Sequence, residues 1–334
     1  MNDAHSSKSS AYGASFIVGL VIAVFVGLMT GQILMRILSE WDTVHAMTIG
    51  VVDGITAWRA WQNRLLSPYL LVFAGQFGLV GVSGLKALTY AGISIAAPLV
   101  YVLAFRATRS VSASCTSVLA FSILYLFLQD RALFLWDTLD IIFFAAFAYA
   151  AVNHAHLGWI VLLALLATLN RESGLFIALF IIISSFDLSQ LHRLRIALAD
   201  KMRLAIGAGV MIVCVAYTKL SRDLLFSQTM GGTEDLQHEL IGNHIQLMRN
   251  LRDLLKNNWT NENVLHTVLV LCSVGFLIWS YFRVPPALRP VVVLTLAMLG
   301  GIVTFGVVNE PRVFLSIMPM FIFLSLQIFA SRKP

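Results

Sequence analysis

Charged side chains are scarce in this chain, and they are the first candidates for chemistry. Of its 334 residues, 12% are charged and 58% are hydrophobic. A carboxylate can take a proton from a hydroxyl group, and an arginine guanidinium can hold a phosphate through paired hydrogen bonds. Charges beside apolar segments are costly unless they face water, each other or a ligand. The candidates of this kind are Glu40, Asp42, Asp53, Arg64, Asp130, Arg131, Asp137, Asp140, Arg171, Glu172, Glu310 and Arg312.

The composition places most of this chain in a lipid environment. An ordinary soluble domain has about 25% charged residues, roughly twice the share found here. The formal net charge is +6, from 23 basic and 17 acidic residues. In a membrane protein this excess is typical of cytoplasmic loops beside anionic lipid, so it does not indicate a nucleic-acid partner. A soluble globular enzyme is therefore excluded.

The other reactive residue types form no recognisable site. Cys115, Cys214 and Cys272 lie far apart in separate apolar runs, so they are interpreted as packing thiols. His154 and His156 lack a neighbouring carboxylate and are interpreted as loop residues. No metal site is predicted, and a need for a divalent metal stays open. Hydrolase, nucleotide and dinucleotide motifs are also missing from the sequence.

Apolar runs of near-membrane length follow one another along the chain. A helix needs about 20 residues to cross a hydrocarbon layer of ~30 Å, and somewhat fewer where loops dip into the bilayer. Basic clusters at 192–203, 283–289 and 332–333 predict the cytoplasmic side, with both termini in the cytoplasm and 221–263 outside. The eleven runs are 13–38, 66–82, 87–106, 111–128, 136–153, 156–169, 174–186, 204–220, 264–282, 290–308 and 312–330.

Two topologies satisfy this assignment. In the first, 66–82 is interfacial or re-entrant and 156–186 is a pair of short helices that turns at Asn170 to Ser173. In the second, 66–82 crosses the membrane and 156–186 is one helix. Such a helix would be about 46 Å long and would bury Arg171 and Glu172 near the middle of the bilayer. This cost favours the first topology, with ten crossing helices.

The first topology gathers most of the charged candidates on the outer side, where we expect them to line one outward cavity. Asp137 and Asp140 are nearly one helical turn apart and share a face, although acids at a helix N-terminus also complement the helix dipole. The pairs Arg171 with Glu172 and Glu310 with Arg312 have a simpler interpretation as structural ion pairs. The amphipathic stretch 240–255 is expected to lie on the membrane surface or to cap the cavity.

Three segments resemble the GT-C superfamily, the membrane glycosyltransferases that use polyprenyl-phosphate-linked sugars. The segment Leu85–Arg106 resembles the second helix of protein-mannosyltransferase-like members. The segment Leu169–Phe176 (LNRESGLF) is similar to the family's short turn between two helices. The segment Asn309–Pro319 (NEPRVFLSIMP) resembles a Glu-x-Arg turn that leads into a proline-bearing last helix.

The resemblance implies roles for the outer charges. It implies a catalytic acid just after the first helix, where Asp42 is the candidate base and Glu40 is the other nearby acid. Arginines are expected to bind the leaving phosphate, and the remaining acids are expected to bind the sugar or the acceptor. It also implies inversion at the sugar carbon. The phosphate-binding candidates are Arg171, Arg64 and Arg312, and the sugar- or acceptor-binding candidates are Glu40, Asp137, Asp140, Glu172 and Glu310.

The sequence thus predicts an all-α polytopic membrane protein with a GT-C-like plan. We expect one integral membrane domain over 1–334, with a first outer loop at 39–86 and a second at 221–263. The expected activity is transfer of a sugar from a polyprenyl-phosphate donor to an envelope glycan, lipid or protein acceptor, outside a bacterial inner membrane. The alternatives are a transporter or lipid-carrier flippase, and a noncatalytic membrane subunit. Transporters commonly carry internal repeats and midplane charges, and neither pattern is found in this sequence.

Overall fold

The fold is a bundle of α-helices with one short pair of strands. The computed structural model describes residues 3–55, 62–129, 132–153, 155–193, 195–225, 246–255, 263–306 and 311–330. Two-residue strands, β1 (Phe186–Asp187) and β2 (Ala197–Leu198), pair antiparallel. The helices are α1 (Asp3–Ile37), α2 (Trp41–Val52), α3 (Leu66–Gly75), α4 (Gly81–Thr108), α5 (Val111–Phe127), α6 (Leu135–Val152), α7 (Leu157–Asn170), α8 (Leu175–Ile183), α9 (Lys201–Leu225), α10 (Leu247–Leu255), α11 (Asn263–Arg283), α12 (Arg289–Phe305) and α13 (Met318–Ala330).

The protein is a helical membrane protein, as the composition predicts. Six helical spans in the described ranges are long and apolar enough to cross a membrane: Gly13–Ile37 of α1, α4, α6, α9, Pro286–Phe305 and Arg312–Ala330, of which the last two include the 3₁₀ turns before α12 and α13. Large apolar side chains on the outside of the bundle are well exposed, among them Val21 and Phe25 on α1 and Ile212 and Leu224 on α9. Lipid is the medium in which such surfaces are stable.

The first four helices fix where the loop after α1 lies. The Tyr101 hydroxyl of α4 donates to the Phe16 carbonyl near the start of α1, at 3.1 Å. The Tyr90 ring, near the start of α4, packs directly on Gly31 near the end of α1. The two helices are therefore antiparallel, so the segment 38–80 leaves and rejoins the bundle at one end, which we call the site end. Helices α2 and α3 lie at this end.

Local signals place the breaks between helices. At the junction of α4 and α5, Arg109 adopts a left-handed conformation with φ 53°. The Ser110 hydroxyl then accepts a hydrogen bond from the Ala113 amide, at 3.3 Å, and caps α5. Pro286 begins a short 3₁₀ turn that leads into α12. These polar and proline positions end one apolar segment and start the next.

The chain turns back between α7 and α8, as the first topology predicts. The Asn170 side chain at the end of α7 donates to the Trp136 carbonyl at the start of α6, at 2.8 Å. Arg171 is extended, at φ −165° and ψ 156°, and a 3₁₀ turn (Glu172–Gly174) opens α8. A Cβ atom on Gly174 would lie 2.2 Å from the Thr168 amide nitrogen, so only glycine allows this close return.

The remaining helices run between the site end and the opposite end. Ile182 of α8 packs on Gly207 near the start of α9, while Glu172 before α8 meets Arg222 near the end of α9. At the opposite end, Arg289 at the start of α12 donates to the Ser189 carbonyl at 2.9 Å. Helix α12 therefore ends at the site end, and α13 begins there.

Candidate functional site

Two buried aspartates at the start of α6 form the centre of the charged cluster. The Asp137 carboxylate accepts from Arg171 Nη1 at 2.8 Å and from Arg312 Nη1 at 3.4 Å. The Asp140 carboxylate accepts from the Ser173 hydroxyl at 2.7 and 2.9 Å and from Asn170 Nδ2 at 3.2 Å. Both aspartates are almost fully buried, at 2% and 1% exposure. Their hydrogen bonds join the start of α6 to the break between α7 and α8.

A second group of charges surrounds Glu172. Its carboxylate accepts from Arg222 Nη2 at 2.5 Å, and Arg64 Nε lies 4.0 Å away. Arg222 Nη2 also donates to Asn63 Oδ1 at 3.1 Å, and the Tyr217 hydroxyl donates to the Asn63 carbonyl at 3.3 Å. These contacts fasten the segment before α3 to the end of α9.

Two aromatic rings support the arginines. The Arg64 guanidinium carbon lies 5.1 Å from the centre of the Trp136 ring, and that of Arg312 lies 4.9 Å from the centre of the Phe134 ring. The two rings stack with their centres 4.4 Å apart. An aromatic face stabilises a cation in this position, most strongly where water is excluded. The four side chains form a stacked layer beside the acids.

Arg64 is a buried cation that has both arginines and acids around it. Burial and the nearby Arg171 charge lower the pKa of Arg64 to about 10. It therefore remains charged at neutral pH. Its Nε atom is buried and makes no hydrogen bond. Such a group has hydrogen-bonding capacity for an anion.

A cavity of about 490 Å³ opens beside these charges. It has a cationic rim formed by Arg64, Arg171 and Arg222, and its walls come from three helices. Met211 and Arg222 both line it and are eleven residues apart on α9, so it follows that helix for about 16 Å. The other lining residues are Glu172, Ser173, Leu175, Phe176 and Leu179 from the break and α8; Met298, Gly301, Ile302, Phe305 and Gly306 from the end of α12; and Val313 and Ser316.

The structure brings most of the predicted residues together, but not in one cavity lining. Arg64, Arg171 and Glu172 line the cavity, as expected. Asp137 and Asp140 do not line it; they pair with Arg171 of the rim, and Arg312 pairs with Asp137. Among the described candidates, this cavity is therefore lined by only part of the predicted set, and two of the others, Asp137 and Asp140, are buried in contacts with Arg171.

The two acids after α1 occupy a different place at the site end. Asp42 lies in the first turn of α2 and is exposed. Glu40 precedes α2, is exposed, and accepts a hydrogen bond from the Thr43 hydroxyl at 3.1 Å. Neither residue is among those that line the cavity. Asp53 ends the same helix and is exposed, whereas Asp130, Arg131 and Glu310 lie outside the described residues.

Sequence reasoning missed several residues of the site. Arg222 was assigned to the outer loop, yet it lies in the last turn of α9 and forms part of the cationic rim. A basic residue directly after an apolar run was the signal available. Asn63 is fully buried and orients Arg222, and no sequence pattern marks it.

Neither metal chemistry nor relatives add to this site. Within the described ranges, no three His, Cys, Asp or Glu side chains gather as a metal-binding group. Comparisons with protein-family models, curated proteins and solved structures find no significant match to this chain. The geometry of the cavity and its charges is therefore the basis on which a function can be assigned.

Proposed function

We propose that this protein is a GT-C-like glycosyltransferase that takes its sugar from a polyprenyl-phosphate donor. The acceptor is an envelope glycan, lipid or protein on the outer face of a bacterial inner membrane. One observation carries the proposal: a cavity with an arginine rim at the site end and apolar walls that run down into the bundle. A lipid phosphate has the same two parts, an anionic head and a long apolar chain.

The rim is suited to a phosphate. Arg64, Arg171 and Arg222 line it, and Glu172 is the acid among the lining residues. Arginine binds phosphate oxygens in pairs and stays charged when it is buried. A developing negative charge on a leaving phosphate would be stabilised there by groups already in position.

The apolar walls are suited to the lipid chain. Leu175, Leu179, Met211 and Met298 line the cavity away from the rim. Methionine adapts its shape to irregular apolar ligands. A donor that reaches the site from the bilayer needs no nucleotide-binding loop, which agrees with the lack of nucleotide motifs in the sequence.

We propose ten crossing helices. The six long spans are joined by four shorter apolar helices that also connect the two ends, α5, α7, α8 and α11. The α3 helix, Leu66–Gly75, is also apolar, but it lies within a segment that returns to the end it left. We propose that both termini are cytoplasmic and that the site end is outside. The basic residues Arg193, Lys201 and Arg289 at the opposite end support this orientation.

The transfer step requires a base and a stabilised leaving group. The bond between the sugar carbon and the phosphate oxygen breaks, and the phosphate keeps the electron pair. A bond to the acceptor oxygen forms, and the hydroxyl proton passes to a carboxylate. We propose Asp42 as this base, with the sugar extending from the rim toward α2. Glu172 is the other candidate, because it lies at the rim itself.

Sugar transfer by purified protein tests this function. We expect labelled sugar to pass from a polyprenyl-phosphate donor in proteoliposomes to extracted envelope acceptors, across a panel of donor sugars. Asp42→Asn should abolish transfer, because the amide cannot take the proton. Asp53→Asn is the matched control, since Asp53 is an exposed acid at the other end of the same helix.

Two outcomes would contradict different parts of the proposal, the first the choice of base and the second the function itself. If Asp42→Asn and Asp53→Asn are equally active and Glu172→Gln is inactive, the base is Glu172. If wild-type protein transfers sugar from none of the donors and binds no prenyl phosphate, the proposal is wrong.

A further inference from the structure

Phe176 and Gly301 approach each other closely inside the cavity. A Cβ atom on Gly301 of α12 would lie 2.5 Å from Cζ of Phe176 on α8, and 3.4 and 3.5 Å from the two adjacent ring carbons. Carbon atoms in favourable contact are about 3.5–4.0 Å apart. The aromatic ring therefore occupies the space that any other residue at position 301 would need.

The backbone of α8 has little room to move away from this contact. Ile177 and Ala178, which follow Phe176, are fully buried. On its α9 side, Ile182 packs so closely on Gly207 that a Cβ there would lie 2.9 Å from the Ile182 amide nitrogen. Any enlargement at position 301 must therefore move the Phe176 ring rather than the helix.

The open space beside that ring is the cavity. Phe176 and Gly301 both line it, between the arginine rim and the deeper apolar walls. A ring displaced by a side chain at position 301 would enter this space and narrow it. The Phe176–Gly301 contact therefore sets the width of the cavity at this level.

We propose that the Phe176–Gly301 contact selects the lipid chain by its thickness, keeping the cavity wide enough for a methyl-branched isoprenoid chain. A straight alkyl chain needs less width, because it carries no branches. This inference rests on the proposed function, since it takes the ligand to be a lipid phosphate held at the arginine rim. The inference adds to that function the property of the lipid chain that the site recognises, which is its thickness.

The experiment compares two phosphates on the full-length protein in detergent. Farnesyl phosphate has methyl branches, and dodecyl phosphate is a straight chain of the same backbone length. Affinities are measured by competition with a fluorescent prenyl phosphate. Gly301→Ala should lower the affinity for farnesyl phosphate about tenfold or more. This is the range expected when a pocket has one carbon atom too many for its ligand. Binding of dodecyl phosphate should change little.

Gly300→Ala provides a matched control. Gly300 is the preceding residue of α12, it is exposed, and a Cβ there would meet no atom within 4 Å. Both substitutions raise helix propensity by a similar amount, but only one of them meets the Phe176 ring. Gly300→Ala should therefore leave both affinities unchanged.

Removal of the ring tests the cause. Phe176→Ala combined with Gly301→Ala should restore farnesyl phosphate binding, because the new methyl group no longer displaces a ring. If Gly301→Ala does not fold, Phe176→Trp narrows the cavity from the α8 side of the same contact and should give the same selective loss. A thermal melt of each variant verifies that it is folded.

Two results would overturn the proposal, and they differ in what else they affect. If Gly301→Ala lowers the affinity for both phosphates equally, or leaves both affinities unchanged as Gly300→Ala does, this contact does not select the chain by thickness. The proposed donor would still stand. If wild-type protein binds neither phosphate, both the inference and the proposed donor are wrong.

Discussion

At the scale of single residues, Asp137 distinguishes a structural acid from a catalytic one. Its carboxylate is buried and shared by Arg171 and Arg312, whose side chains are 20% and 16% exposed. Asp137→Asn keeps the volume but removes the charge that Arg171 and Arg312 share, while Arg171 keeps its contact with Asp140 at 3.8 Å. Removing one member of a buried ion pair typically costs 3–5 kcal/mol. We expect a loss of about 3 kcal/mol in the free energy of unfolding, measured by thermal and denaturant unfolding in detergent.

Asp42→Asn is the reference for this measurement. Asp42 is exposed at the start of α2, so its amide variant should unfold as wild type does while losing transfer activity. An Asp137→Asn variant with wild-type stability would mean that the arginines find other anions. The structural role assigned to Asp137 would then be wrong.

Residue types predicted many members of the charged cluster, but not which of them line the cavity and which of them form internal ion pairs. Arg64, Arg171 and Glu172 were predicted from charge beside apolar segments, and they line the cavity. That Asp137 faces arginines rather than ligand depends on where Arg171 and Arg312 lie, 34 and 175 residues further along the chain. Sequence spacing carries no information about such contacts, since they follow from tertiary packing.

At the scale of elements, the break between α7 and α8 was predicted, because a continuous helix would carry Arg171 and Glu172 into the bilayer. The cavity walls were not predictable in this way. Phe176 and Gly301 belong to separate apolar runs whose patterns show no preferred partner. Which faces of α8 and α12 meet depends on side-chain packing, and apolar composition does not specify it.

The short amphipathic helix α10 is tied to the cavity wall. Its Asn250 side chain, 2% exposed, donates to the Val303 and Gly306 carbonyls at 2.8 and 2.7 Å. The Gln246 backbone N–H donates to the Thr304 carbonyl at 2.8 Å. These bonds satisfy carbonyls at the end of α12 that have no partner within the helix. The stretch 240–255 is predicted to lie on the membrane surface or to cap the cavity. Its described part is attached to the end of α12 and contributes no residue to the cavity lining, so both alternatives stay open.

Asn250→Ala tests this attachment. Loss of the amide leaves two carbonyls without their donor, at a cost of about 1–3 kcal/mol. We expect faster hydrogen exchange at residues 301–306 and a lower melting temperature in detergent. Met248→Ala on the exposed face of α10, at 76% exposure, should change neither. Unchanged exchange in Asn250→Ala would show that α10 does not hold the end of α12.

At the scale of the whole molecule, the two ends of the bundle differ in the chemistry they carry. The site end holds the buried acids and the arginine rim, whereas the opposite end holds basic residues such as Lys201 and Arg289. This polarity supports the first of the two sequence-based topologies. The two topologies place the α4–α5 junction on opposite sides of the membrane, so that junction decides between them.

Cysteine labelling in intact cells tests this orientation, in a background where Cys115, Cys214 and Cys272 are replaced by alanine. Two exposed reporters have the same side in both topologies: Asp53→Cys outside and Gln190→Cys inside. The deciding reporter is Arg109→Cys at the α4–α5 junction, which is also exposed.

We expect Arg109→Cys to behave as Gln190→Cys does, with an impermeant maleimide reacting only after the cells are permeabilised. The reason is that α1 and α4 run antiparallel, so the α4–α5 junction lies at the end opposite to Asp53. If Arg109→Cys reacts from outside, as Asp53→Cys does, then 66–82 crosses the membrane. The segment 156–186 would then cross the membrane only once and carry Arg171 and Glu172 into the bilayer, so an outward arginine rim that receives a lipid phosphate could not form as proposed.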